Sequence, residues 1–314
     1  MFGNSESDSF KECFLGCENL REISGDNVFG DCHAVKSFES AFNRCKSLAS
    51  IPNTLFDGAV NAETFENCFG SCKKLEMNDP DGKSPFSSCS NATNYRGCLY
   101  YCYKLKRPPK NLFAGSPQAN NFEQCFSNAG LDIHYLKNYG NFLFAAQYNN
   151  PKMNFKGCFS YLYKTLPDDP STYAPGAVDA DAIGSAGDFS SHPAFWYDYG
   201  IATPHPGTCA VSPLTEVDYT SCFEYAMMAG RYHYTDTLGV RGLDDGSGGT
   251  WIHSTHNSSV MYESLKGNVP ELWKNENATG TRCFYGDVYI QSNGTLYSKF
   301  ILNYADIPYD WADG

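Results

Sequence analysis

Charge is the scarcest ingredient of this chain. Lys, Arg, Asp and Glu make up 18% of its 314 residues, against about 25% in ordinary globular domains. The charges present lean acidic, with 23 Lys and Arg against 35 Asp and Glu, a net −12 and a pI of about 5.0. A surplus of that sign excludes nucleic acid as an expected partner, because phosphate backbones seek cations. No unbroken apolar run reaches about 18 residues, so no helix that inserts in a membrane is expected. The Cys-x-x-Cys pairs of zinc modules are missing too, so no metal centre and no cofactor are expected.

What the chain has instead is aromatic mass and cysteine. Phe, Trp and Tyr reach 15%, with 22 Tyr, and there are 14 Cys. Their placement is periodic. Cys13-Phe14 with Cys17 and Leu20 recurs as Ala41-Phe42 with Cys45 and Leu48, then as Cys68-Phe69 with Cys72 and Leu75. It recurs again as Cys98-Leu99 with Cys102 and Leu105, and more loosely as Cys125-Phe126 and Cys158-Phe159. The anchors Phe14, Phe42, Phe69, Leu99 and Phe126 advance by 28, 27, 30 and 27 residues. A fixed step of that size is the mark of a leucine-rich-repeat solenoid, whose units must stack because none can bury its apolar face alone. Cysteine held in one slot of a repeat acts as a small buried hydrophobe, so the thiols are expected to be mostly unpaired.

Each early repeat reads in two parts. Val35, Phe38, Phe42 and Cys45, like Ala62, Phe65, Phe69 and Cys72, fall at steps of three and four and predict a helical face. A short extended part follows, as in Leu48-Ala49-Ser50-Ile51-Pro52, and then an aromatic plug at Phe29, Phe56, Phe86, Phe113 or Phe144. Regular repeats are expected over 1–163. Residues 164–215, rich in Pro, Gly, Ala and Asp, read as an insertion or long loop. Irregular repeats return over 216–314, where Val217-x-Tyr219-x-x-Cys222-Phe223 copies the earlier pattern. They carry a loop at 229–263 and a hairpin insertion at 287–302 around Asn293-Gly294. Trp311 is placed to cap the end. The fold class is therefore an α/β repeat, a leucine-rich-repeat solenoid with short strands on one face, helical turns on the other, and irregular insertions in the C-terminal half.

Three stretches carry this reading to a known family: Ser47-Leu48-Ala49-Ser50-Ile51-Pro52-Asn53-Thr54-Leu55-Phe56-Asp57, Asn67-Cys68-Phe69-Gly70-Ser71-Cys72, and Asn303-Tyr304-Ala305-Asp306-Ile307-Pro308-Tyr309-Asp310-Trp311. They resemble the BspA-like leucine-rich-repeat surface proteins, over residues 10–130 and again over 215–228 and 265–314. The resemblance implies a protein of bacterial or protozoan surfaces, or of bacteriophage tails and fibres, that binds host proteins, cells or matrix. It brings no catalytic residues and leaves the two interruptions uncovered.

Enzymatic chemistry finds little support. His253 and His256 have the spacing of a metal pair, with Glu263 as nearest acid, but read better as polar loop residues. Asp79-Pro80-Asp81-Gly82 and Asp244-Asp245-Gly246-Ser247-Gly248 lack the spacing of a calcium loop and read as turns. Cys209, four residues after His205, has no oxyanion-type glycine motif beside it. The stronger functional signal is aromatic: Phe195, Trp196, Tyr197 and Tyr199, with Tyr232, Tyr234 and Trp251, all within the interruptions. Insertions are where solenoids carry binding loops, and Trp/Tyr platforms suit a sugar ring or a protein hot spot.

The expected function is non-enzymatic: an extracellular or virion-borne module for adhesion or receptor recognition, on a phage tail or a bacterial cell surface. The expected partner is a host-cell surface protein or glycan, or other subunits of a virion or surface assembly. Two alternatives stand beside it, a structural subunit of such an assembly and a cysteine- or metal-dependent hydrolase. The opening segment MFGNSESDSF has neither a basic region nor an apolar stretch. No secretory leader is expected in it, and the protein either has lost one or leaves its cell by another route, as a virion component does at lysis.

Overall fold

The computed structural model describes residues 7–25, 28–30, 32–79, 81–131, 143–161, 214–224, 272–283 and 309–312, with short strands at 234–236, 239–241, 288–290 and 296–298. Among these residues the named strands are β1 (Lys152–Asn154), β2 (Glu216–Asp218), β3 (Tyr234–Asp236), β4 (Gly239–Arg241), β5 (Ala278–Thr279), β6 (Val288–Ile290) and β7 (Leu296–Ser298). A single parallel ladder links most of the rest. Ser9 bridges Ser37, Ser37 bridges Thr64, and the series continues through Asn94, Asn121 and Asn154. β1 then pairs in parallel with β2, and β2 with β5. Successive bridged residues lie 28, 27, 30, 27 and 33 positions apart, and then 64 and 61. The ladder is thus unbroken across both long interruptions: Asn154 sits beside Asp218, and Asp218 beside Thr279. β3 and β4 pair antiparallel, as do β6 and β7, the latter with Asn293-Gly294 in the connection between them.

The stretch from the bridge to the second cysteine slot is a run of turns and not a helix. Every second amide is taken by the next rung: those of Phe38, Ser40, Phe42 and Arg44 donate to the carbonyls of Thr64, Glu66, Cys68 and Gly70 at 2.8–3.0 Å. The amides between them fold back three residues, from Ala41, Asn43 and Cys45 to Phe38, Ser40 and Phe42, each at 3.1 Å. A helix needs every amide for its own i−4 carbonyl, and a neighbouring chain that captures alternate donors removes that option. The apolar steps of three and four survive because this turn chain also returns a side chain to the same face every four residues. It requires a left-handed residue twice per rung, at Ser40 (φ 54°) and Arg44 (φ 63°) in the second rung, at Asn67 and Ser71 in the third, at Gln124 and Asn128 in the fifth.

One amide per rung would still lack an acceptor, and a short polar side chain supplies it. The Oγ or Oδ1 of Ser9, Ser37, Thr64, Asn94, Asn121, Asn154 and Asp218 accepts the amide two residues on, at 2.8–3.2 Å. These are the residue types that bond their own backbone locally and so disfavour helix.

The interior consists of columns of rings. Phe38, Phe65, Tyr95, Phe122, Phe155 and Tyr219 stack at 5.3–5.8 Å with planes within 14°. Phe29, Phe56, Phe86, Phe113 and Phe144 form a second column at 5.6–6.0 Å. The two meet edge to face, as Phe56 does with Phe65 at 4.9 Å and 65°. A third column runs Phe14, Phe42, Phe69, then Leu99, then Phe126, Phe159 and Phe223. Each ring buried this way contributes roughly 1.5–3 kcal/mol from area alone, and the offset and edge-on pairs add to it. Tyr95 is admitted because its hydroxyl meets Ser116 Oγ at 2.7 Å, and Ser116 Oγ donates to Cys89 O at 2.9 Å. The helix α1 (Tyr309–Ala312) covers the last rung of the ladder. Its Trp311 ring lies against Gly280, where a Cβ would stand 2.5 Å from Trp311 Cδ2, and the amide of Arg282 donates to Asp310 O at 2.6 Å.

Candidate functional site

The two thiol columns are built for packing. Cys45, Cys72 and Cys102 donate their S–H to the carbonyls of Phe14, Phe42 and Phe69 in the preceding rung, at 3.1–3.2 Å. Burial pushes the Cys45 thiol up to about 11, and those of Cys68, Cys72, Cys125 and Cys158 well above the usual thiol range. A nucleophile or metal ligand must be a thiolate, so these sites are chemically inert. No disulfide links Cys13, Cys17, Cys45, Cys68, Cys72, Cys89, Cys98, Cys102, Cys125 or Cys158. Among the described residues no group of three or more His, Cys, Asp and Glu is placed to hold a metal ion. Asp79 and Asp81 form a turn: Asp79 Oδ1 accepts the amide of Asp81 at 3.2 Å, and Asp81 pairs with Lys110 at 2.7 Å.

Beside the bridge ladder the surface charges neutralise one another across rungs. Lys11 meets Glu39 at 3.0 Å, and Arg96 lies between Glu66 at 2.8 Å and Glu123 at 3.6 Å. The Glu66 hydrogen bond, helped by the charges of Glu66 and Glu123, raises the Arg96 pKa. Lys36–Glu63, Lys46–Glu18, Lys83–Asp57 and Lys152–Glu216 continue the habit elsewhere. Exposed pairs of this kind contribute little stability. Their consequence is that many of the surface cations are already neutralised.

Among the described residues Arg21, Arg44 and Lys156 each stand exposed without an ion pair, one to a rung, whereas one corner of the third and fourth rungs gathers several such cations. Lys73, Lys74, Lys104 and Lys106 are exposed, and among the described residues none of them makes an ion pair. They follow Tyr100, Tyr101 and Tyr103 in sequence or hold the matching positions of the preceding rung. The rungs are held in register there by the amide of Ser71, which donates to Tyr100 O at 2.7 Å. Tyr100 lies against Gly70, where any Cβ would come 2.6 Å from Tyr100 Cδ1, so only glycine leaves the ring its seat. Tyr101 is set edge to face between its neighbours, 5.3 Å from Tyr100 at 70° and 6.0 Å from Tyr103 at 89°. Lys73 Nζ stands 5.5 Å over the Tyr103 ring, a cation–π distance. Tyr101 is 38% exposed, which makes it one of the few large apolar side chains held open to solvent in the described structure. Its backbone is left-handed (φ 57°), a conformation that Asn128 and Gly16 occupy in other rungs and that a bulky residue adopts only at a cost.

Phe195, Trp196, Tyr197, Tyr199, Tyr232 and Trp251 lie outside the described residues, as do His205, Cys209, His253, His256 and Glu263. Tyr234 opens β3, where its backbone is paired with Arg241. The tyrosine and lysine corner is therefore a site that sequence reasoning passed over. Its signal was present in Tyr100-Tyr101-Cys102-Tyr103-Lys104-Leu105-Lys106-Arg107, the chain's densest mixture of Tyr and cations. No family model, curated protein sequence or solved structure matches the chain.

Proposed function

We propose that this chain is a leucine-rich-repeat solenoid of the BspA-like kind and that it works by non-enzymatic recognition, as an adhesion or receptor-binding module on a virion or bacterial cell surface. The observation that carries the reading is the unbroken parallel ladder from Ser9 to Thr279, with a ring-filled interior and buried, protonated thiols. Such an interior offers nothing to a substrate, so function falls to the outer surface and to the interruptions. The aromatic groups Phe195–Tyr199, Tyr232, Tyr234 and Trp251 are the proposed contacts contributed by the interruptions, and the corner around Tyr101 is the proposed contact on the rungs themselves.

The test is attachment. Fluorescently labelled protein is applied to a panel of bacterial and animal cells, beside a variant lacking 189–199. The reading expects saturable attachment to at least one cell type, weakened by the deletion. Absence of attachment across the panel overturns the recognition reading. Attachment unchanged by the deletion removes Phe195, Trp196, Tyr197 and Tyr199 from it.

A further inference from the structure

We propose that the corner formed by Tyr100, Tyr101, Tyr103, Lys73, Lys74 and Lys104 binds an acidic polysaccharide, with Tyr101 against a sugar ring and the lysines on its sulfate or carboxylate groups. This rests on the recognition reading and names its ligand class.

Two independent observations converge on it. The first is electrostatic. In a chain of net charge −12, many cations are held by a carboxylate from a neighbouring rung and Arg21, Arg44 and Lys156 stand unpaired singly, whereas Lys73, Lys74, Lys104 and Lys106 of two adjacent rungs are all without an ion pair among the described residues. Lys73-Lys74 and Tyr103-Lys104 occupy the same two positions one rung apart, outside the buried Leu75 and Leu105. Glu76 is the acid nearest in sequence, and it forms no ion pair with them. An anion thus finds free partners here without displacing an internal one.

The second is conformational. Every rung needs a left-handed residue at the position of Tyr101. Gly16, Ser71 and Asn128 serve that need with small or polar side chains, Arg44 and Tyr161 with large ones, and Tyr161 is compensated by its hydrogen bond to Glu224. Tyrosine is a poor choice for the backbone, and 38% of its surface is still left in water. A side chain kept against the local backbone preference, and held edge-on between two further tyrosines, fits a role outside the fold. Flat aromatic faces beside cations match a ring that carries anionic substituents. A nucleic acid would match the cations as well, and its binding is the outcome that the oligonucleotide comparison below tests.

Dextran sulfate is the probe, with uncharged dextran and a single-stranded oligonucleotide as comparisons. The full chain is expected to bind dextran sulfate, with affinity that falls as salt rises. Tyr101→Asn should weaken that binding by about tenfold, the effect of losing a central aromatic contact. Because asparagine suits the left-handed position, its thermal stability should match or exceed that of the parent. Lys73→Glu with Lys104→Glu should abolish binding and flatten the salt dependence, whereas Lys36→Glu, equal in charge per site but remote, should not. The proposal is overturned if dextran sulfate is not bound, if Tyr101→Asn binds it unchanged, or if the oligonucleotide is bound as tightly with the same sensitivity to the variants. Cell attachment without dextran sulfate binding removes this inference and leaves the recognition reading standing; loss of both removes both.

Discussion

Gly58 offers a sharp test of how closely the rungs stack. Its backbone lies outside the left-handed region, so alanine can adopt the same conformation. At such a site Gly→Ala ordinarily stabilises a protein by about 0.4–1 kcal/mol, through the unfolded chain. Here the sign should reverse. A Cβ on Gly58 would stand 2.5 Å from Gly30 Cα and closer still to the carbonyl of Gly30. Carbon atoms need about 3.5 Å, and the carbonyl of Gly30 is nearer than its Cα, so the first and second rungs would have to part by more than about 1 Å at this point. Neither side can rotate away, because both are backbone. The rings just before them, Phe29 and Phe56, stack at 5.8 Å, so parting the rungs would strain that contact as well. Overpacking of this kind costs about 1–3 kcal/mol, which exceeds the entropic gain. At roughly 2–4 °C per kcal/mol, Gly58→Ala should lower the melting temperature by a few degrees in calorimetry, with the urea midpoint falling in parallel. A variant as stable as the parent, or more so, would show that Gly30 and Gly58 do not meet and would refute the close stacking of these rungs.

Two further expectations concern the interior. Ser116→Ala leaves the buried Tyr95 hydroxyl without its 2.7 Å partner and should cost about 1–3 kcal/mol, whereas Tyr95→Phe restores the ring found elsewhere in that column and should cost about 1 kcal/mol or less; urea unfolding of the two variants checks the order. Stability should also fall with alkaline pH. The thiols of Cys68, Cys72, Cys98, Cys102, Cys125 and Cys158 are raised by burial, from a reference of 9.0, so the unfolded chain releases protons that the folded chain keeps. Their contribution is whole below about pH 9 and is lost as pH rises above it, at up to about 1.4 kcal/mol per pH unit for each thiol. Denaturation midpoints that stay level between pH 8 and pH 10 would contradict their burial.

The part of this architecture that could be read from sequence is the part that repeats. Phe14, Phe42 and Phe69 recur at a fixed step because rings of successive rungs must lie over one another, and they stack at 5.2–5.4 Å. The helical reading of Val35, Phe38, Phe42 and Cys45 came from periodicity, which records which face a side chain occupies and not where its amide donates. The sign against helix lay in the polar residues four positions before each first-slot cysteine, Thr64, Asn94, Asn121, Asn154 and Asp218. Each is a poor helix former that caps its own turn. The site was illegible for a related reason. Tyr100-Tyr101 looks like ordinary aromatic content until the backbone shows that Tyr101 must be left-handed and that Gly70 makes room for Tyr100.

A repeating interior constrains so many positions that function is best sought where a rung breaks the common rule without a structural reason. Tyr161 and Tyr101 separate the two cases, since both place tyrosine in the left-handed slot, at φ 60° and 57°. For Tyr161 the fold supplies a return. Its hydroxyl donates to Glu224 Oε1 at 3.2 Å, and Arg282 donates to the same oxygen at 3.1 Å, so the residue ties together three rungs around a buried carboxylate. Replacing Tyr161 by Asn should therefore destabilise the protein, since the Glu224 carboxylate would lose a donor. Among the described residues Tyr101 makes aromatic contacts only with Tyr100 and Tyr103, and it leaves more than a third of its surface in water. The same substitution at Tyr101 removes strain and no hydrogen bond. If Tyr101→Asn proves the more destabilising of the two in parallel thermal melts, the ring at 101 is a structural element and the contrast drawn between these positions fails.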